Sequence, residues 1–221
     1  MSPEIDPFIA PVCHEQIEIL YEDEHLLLIN KPSGLLSLSG KHPANKDSVH
    51  YRLVKDYPSA LMVHRLDLGT SGIMVIALNK VINAQLCRQF SNREVTKTYT
   101  ALLDGHLVLN KGIIDKPIAK ADFPLQKICY ESGKPAQSQF EVLERLTHPF
   151  CSRVIFTPIT GRTHQLRIHS QIFGYPILGC DLYASDAAFF MADRLMLHAI
   201  SLTFDHPVSG ERINGQCECP F

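Results

Sequence analysis

A chain of 221 residues is long enough to bury a substantial core, as one large domain or two small ones. Its 45% hydrophobic and 20% charged content is that of an ordinary soluble globular protein, and no apolar run approaches the ~20 residues needed to cross a bilayer. The formal charge of −2 hides an asymmetry: residues 1 to 30 hold seven acids (Glu4, Asp6, Glu15, Glu18, Glu22, Asp23, Glu24) and no Lys or Arg, leaving 21 basic side chains against the other 16 of 23 acids. That start predicts no secretory signal with a basic opening, and the +5 body is compatible with a polyanionic partner without demanding one. Seven cysteines, an odd number with no Cys-x-x-Cys spacing, read as reduced thiols in a cytoplasmic protein.

In chain order, residues 1 to 15 carry Pro3, Pro7 and Pro11 without a sustained period, which predicts a flexible acidic leader. Leu26-Leu27-Leu28-Ile29 predicts a buried strand before a Lys-Pro-Ser-Gly turn, and Val49, Leu53, Val54 and Tyr57 fall at helical spacing. The run Ile73 to Leu78, bounded by Gly72 and Asn79, reads as a strand buried on both faces. Ile82, Leu86 and Phe90 form the apolar stripe of a helix over residues 80 to 92. Residues 98 to 103, 138 to 143 and 153 to 157 read as strands, and Ile200, Leu202 and Phe204 alternate as a half-exposed one. Between residues 110 and 135 lies a long segment with five lysines that reads as a loop, a length that in compact domains is often functional. Residues 162 to 173 place His164, Ile168 and Ile172 on one helical face, so that Arg162 and Arg167 belong to a helix. Strands and helices intersperse without strict βαβ alternation, which predicts an α+β fold.

The most informative stretch is His64-Arg65-Leu66-Asp67-Leu68-Gly69-Thr70-Ser71-Gly72. A carboxylate set on a tight loop against a buried strand, beside a cation, is either a structural ion pair or a prepared nucleophile; taken alone, the ion pair is the commoner case. Four segments together resemble the RluA family of RNA pseudouridine synthases: Asn30-Lys31-Pro32-Ser33-Gly34-Leu35-Leu36, the stretch 64 to 72, Lys97-Thr98-Tyr99, and residues 158 to 169 (Pro-Ile-Thr-Gly-Arg-Thr-His-Gln-Leu-Arg-Ile-His). Pro176-Ile177-Leu178-Gly179 with Tyr183-Ala184-Ser185 adds a fifth, and all stand in the family's order. Gly133-Lys134-Pro135-Ala136-Gln137, with no extra N-terminal RNA-binding domain, is similar to the family's short branch, whose members modify both ribosomal and transfer RNA. One departure stands out. The family usually has an aspartate directly after Pro-Ile-Leu-Gly, where this chain has Cys180 and then Asp181. That position is expected to lie outside the reaction centre.

The resemblance implies a single pseudouridine synthase domain over residues 16–221, a mixed, mostly antiparallel central sheet flanked by helices and loops, and an RNA-binding cleft. It implies isomerisation of uridines in structured RNA, namely 23S rRNA and a tRNA anticodon stem-loop, with no cofactor, no metal, no membrane, no obligate protein partner and a monomeric, cytoplasmic protein. Asp67 is the implied nucleophile, since a carboxylate can attack and later leave or take a proton from the sugar. Arg167 is its implied partner, with a planar fork that a lysine lacks. Arg65 would fill the space of an extruded uridine and Tyr99 would lie against the flipped base. His64, Thr70, Lys31, Arg162 and Leu166 complete the implied substrate contacts. Each has a plainer reading: Tyr99 as a core aromatic, the lysines as solvated loop residues, and Ser71 as a turn residue, because no Gly-x-Ser-x-Gly elbow surrounds it. His64, His164 and His169 lack the spacing of a tight metal pair. An RNA N-glycosidase releasing free uracil and a non-catalytic RNA-binding protein of the same fold are the alternatives.

Overall fold

The computed structural model describes residues 8–221. They pack as two compact units, one made of the chain up to Val95 together with Leu202–Glu218, the other of Thr96–Ser201 with Cys219–Phe221. The expected leader lies outside the described residues over its first seven positions. Residues 8 to 15 form no helix or strand, yet they are tied to the first unit: the Ala10 N–H donates to Asn45 Oδ1 at 2.8 Å, and Arg52 donates to the carbonyls of Cys13 and Glu15.

The first unit begins with β1 (Glu18–Glu22) and β2 (Leu26–Lys31), followed by α1 (Val49–Leu53), β3 (Leu61–Met62), β4 (Ser71–Ala77) and α2 (Lys80–Asn92). Both β2 and β4 are apolar runs, and they pair antiparallel from Leu26 opposite Ala77 to Lys31 opposite Gly72. Every residue of β4 is buried, as a strand apolar on both faces must be. Burying each such side chain is worth about 1.5–3 kcal/mol. Helix α2 starts where the Asn79 side chain accepts from the Ile82 N–H at 3.0 Å, and it ends where Arg93 turns left-handed at φ 62°. Its stripe holds Ile82 and Leu86 buried, while Gln89 exchanges two hydrogen bonds with the backbone of Asp205.

The second unit contains β5 (Thr96–Asp104), β6 (Lys111–Asp115), β7 (Ile118–Lys120), β8 (Gln126–Ile128), β9 (Gln137–Thr147), β10 (Phe150–Pro158), α3 (Gln165–Ile172) and α4 (Asp186–Phe189). Strands β5, β10, β9 and β6 lie in that order, all antiparallel. Phe140, Val154 and Phe156 from the strands pack with Leu166 and Ile168 of α3 in one apolar cluster. Strand β11 (Leu197–Asp205) carries the chain back from the second unit into the first, where β12 (Arg212–Gln216) pairs with it. The fold is α+β, as the interspersed elements predict, on the mixed, mostly antiparallel sheet that the resemblance implies. Among the described residues no helix is long and apolar enough to cross a membrane.

Two expectations are corrected. Residues 110 to 135 are not a structureless loop, because they hold β6, which pairs with β9, and the paired strands β7 and β8. Arg162 stands outside the helix assigned to it: His164 adopts φ 54°, which stops helical geometry short of Gln165.

Candidate active site

In the first unit, the segment around Asp67 is pinned by its backbone. Four consecutive carbonyls each accept a hydrogen bond. Leu66 O takes one from Ser37 Oγ (2.7 Å), Asp67 O from the Thr70 N–H (3.2 Å), Leu68 O from the Gly34 N–H (2.9 Å) and from Lys31 Nζ (3.2 Å), and Gly69 O from Ser33 Oγ (2.8 Å). The Ser37 hydroxyl also accepts from the Leu66 N–H at 3.1 Å, so one side chain grips both sides of the residue before the carboxylate. Each bond contributes about 0.5–1.5 kcal/mol, and leaving such a group unpaired in a buried place would cost more. The Lys-Pro-Ser-Gly turn therefore serves as the seat of the Asp67 loop. Gly34 makes that turn at φ 77°, a conformation glycine adopts without steric cost.

Asp67 itself is half-buried and Arg65 exposed. His64 stacks on Phe90 with centroids 4.7 Å apart, and its Nε2 accepts from the Val75 N–H at 3.1 Å. Thr70 is 2% exposed. Lys31, expected among the substrate contacts, is 0% exposed, with Nζ donating to the carbonyls of Pro32 and Leu68. A buried ammonium needs acceptors around it, and these backbone oxygens supply them.

In the second unit, Tyr99 sits on β5 opposite Phe156 and packs, half-buried, against the apolar cluster. Leu166 belongs to that cluster, so its contacts are with core. Arg162 lies on the approach to α3, where its N–H donates to Gln165 Oε1 (2.9 Å) and its Nε to Pro135 O (3.1 Å). Arg167 is 4% exposed on α3. Its Nε donates to Cys180 Sγ at 3.3 Å, its Nη2 is ion-paired and hydrogen-bonded to Asp181 Oδ1, and its guanidinium lies 5.3 Å from the centroid of the Tyr183 ring. The departure after Pro-Ile-Leu-Gly, expected to lie away from the reactive residues, thus falls directly on Arg167.

Helix α3 turns polar side chains inward, and a buried network accommodates them. Gln165 Oε1 accepts from Thr160 Oγ1 (2.7 Å), and Gln165 Nε2 donates to Gln137 O (2.9 Å) and Ser138 Oγ (3.0 Å). Ser138 Oγ in turn meets His169 Nδ1 at 2.9 Å, and His169 Nε2 meets Lys116 O at 3.0 Å. Burial pushes the His169 pKa below its ordinary value, against smaller opposing effects of the Lys116 carbonyl and Asp115. Burial likewise lowers Lys97, whose ammonium would stand 3.8 Å from a Cβ on Gly161. The sequence reading missed Ser37, Gln165 and His169 as supports. Apolar periodicity gives the last two no weight, although both are polar side chains buried on α3. Among the described residues no group of three or more His, Cys, Asp and Glu is arranged to hold a metal ion.

Comparison with known proteins gives concordant results. The family model described as RNA pseudouridylate synthase matches residues 25–171. The dual-specificity RNA pseudouridine synthase RluA of Yersinia pestis is 48% identical over 206 residues, 92% of this chain and 99% of that protein. The protein of that name from Escherichia coli strain K12 is 48% identical over 92% of this chain and 93% of its own length. Among solved structures, human RNA pseudouridylate synthase domain containing 1 superposes with a TM-score of 0.80 at 30% identity, covering 96% of this chain and 86% of that one. Human RNA pseudouridylate synthase domain containing 4 gives 0.73 at 26% identity, over 92% and 88%.

Proposed function

The chain belongs to the RNA pseudouridylate synthase family, and from that premise we propose that it is a dual-specificity member acting on a uridine of 23S rRNA and one of a tRNA anticodon stem-loop. It is an isomerase: the bond from C1′ to N1 of uridine breaks, the uracil turns, and C5 bonds to C1′ while its proton leaves and N1 gains one. Nothing is oxidised or reduced, and no nucleotide is consumed.

Under this proposal Asp67 attacks or deprotonates the sugar, Arg167 orients that carboxylate, and Tyr99 lies against the flipped uracil and helps to remove the C5 proton. Arg65, the exposed residue of its loop, holds the space the uridine leaves. His64, Thr70 and Lys31 support the loop from beneath, while Arg162 and Leu166 set the approach to α3. Residues 16–221 act as one catalytic domain, monomeric and cytoplasmic, without a cofactor. The observation that best supports the site assignment is the run of four bonded carbonyls under residues 66 to 69, because a loop so tied presents its carboxylate already placed. Mapping pseudouridine across total RNA with and without this protein tests the reading. Loss of one ribosomal and one transfer-RNA site is expected. Release of free uracil without pseudouridine would replace it with a hydrolytic glycosidase.

A further inference from the structure

Arg167 is almost wholly buried, and the loop after α3 meets its guanidinium. Its side chain is 5% exposed, whereas that of its partner Asp181 is 64% exposed. The guanidinium is thus engaged along two edges from one short stretch of chain, Nε by the Cys180 thiol and Nη2 by the Asp181 carboxylate. The Tyr183 ring, two residues on, lies under the guanidinium with its centroid 5.3 Å from the guanidinium carbon, and its hydroxyl accepts from the Gln126 N–H at 2.9 Å and meets His164 Nδ1 at 2.8 Å.

That stretch cannot easily shift. Gly179 turns it at φ 69°, and a Cβ there would stand 1.9 Å from Arg194 O, so the chain reaches Cys180 pressed against another backbone. A guanidinium is a planar fork whose value for recognition depends on how its plane is oriented, and acceptors on two different nitrogens limit rotation away from one orientation. A thiol on Nε and a carboxylate on Nη2 also divide the labour. Sulfur is a weak, neutral acceptor, so of these two contacts the Asp181 carboxylate is the charged one.

We propose that Asp181, with Cys180, is a positioning residue that sets the orientation of Arg167 for isomerisation. This inference rests on the role assigned to Arg167 above. Asp181 touches no reacting atom; it acts through the arginine. Because its carboxylate is exposed, removing it perturbs little packing, and a change in catalysis reports on the guanidinium and not on the core.

The test uses the full chain with Asp181→Ala and Asp181→Glu. Single-turnover pseudouridine formation at saturating RNA is expected to slow about tenfold or more in Asp181→Ala. RNA affinity should stay within about twofold of wild type when both proteins are assayed well below the Tm of Asp181→Ala, which losing the carboxylate beside a buried guanidinium lowers. Asp181→Glu, which keeps the charge on an exposed side chain, should recover most of the rate. Independently of activity, the 15N–1H resonance of Arg167 Nε, identified by its loss in Arg167→Lys, should be sharp in wild type and broadened by solvent exchange in Asp181→Ala. An unaltered resonance overturns the proposal whatever the rate does, as does a fall in rate matched by an equal fall in RNA affinity. If the resonance moves as expected but wild type forms no pseudouridine in any RNA, the functional reading fails and the placement of Arg167 by Asp181 stands.

Discussion

At the scale of single residues, the backbone around Asp67 matters as much as its carboxylate. Asp67→Asn removes the charge and keeps the shape, so turnover should fall by 10³-fold or more, on the order seen when a covalent nucleophile is lost, while RNA affinity persists. Assaying pseudouridine formation and RNA binding on the same preparation checks this. A mutant with ordinary turnover removes Asp67 from the reaction. Ser37 gives the complementary case. Its hydroxyl serves the N–H and the C=O of Leu66 at once, both buried, so Ser37→Ala should destabilise the fold by about 1–3 kcal/mol. Urea midpoints at neutral pH measure it, and an unchanged midpoint would mean that water replaces the hydroxyl.

At the scale of elements, α3 is a helix fastened by polar bonds where apolar contact would be usual. Burial holds the His169 pKa below its ordinary value of about 6.5, so below that pH the unfolded chain binds a proton that the folded chain resists. Stability should therefore fall as pH drops below about 6.5, and the loss should end once the lowered folded pKa is passed. Urea midpoints at several pH values test the sign: His169→Gln should be weaker at neutral pH and show a shallower fall on acidification. The same helix shows why part of the molecule escaped the sequence. The runs of β2 and β4 and the stripe of α2 announce themselves because burial there follows apolarity. Buried Gln165, Arg167 and His169 break that equation, and an apolar-periodicity argument discards them. Strand β6 is concealed for the opposite reason. Ile114 is its one buried residue and stands between exposed Ile113 and Asp115, so the five residues show no clean apolar and polar alternation. Periodicity places Arg162 in a helix because a single left-handed residue, His164, leaves no mark on it.

At the scale of the whole molecule, the net charge of −2 gives little hint of an RNA substrate, yet binding must still displace counterions wherever the basic body meets phosphate. The logarithm of affinity should fall linearly with the logarithm of salt concentration, with a slope of about −0.7 per phosphate engaged on single-stranded RNA. Titration of a labelled anticodon stem-loop across salt concentrations reads the slope, and a flat response is incompatible with the proposed substrate. The buried ammonium of Lys31 leads somewhere different. An acylating reagent marks amines that water can reach, such as those of the exposed Lys120 and Lys127, and should pass over this one while the chain is folded. Mass-spectrometric detection of label at residue 31 then becomes a clock for the opening of the first unit, needing neither RNA nor turnover to run.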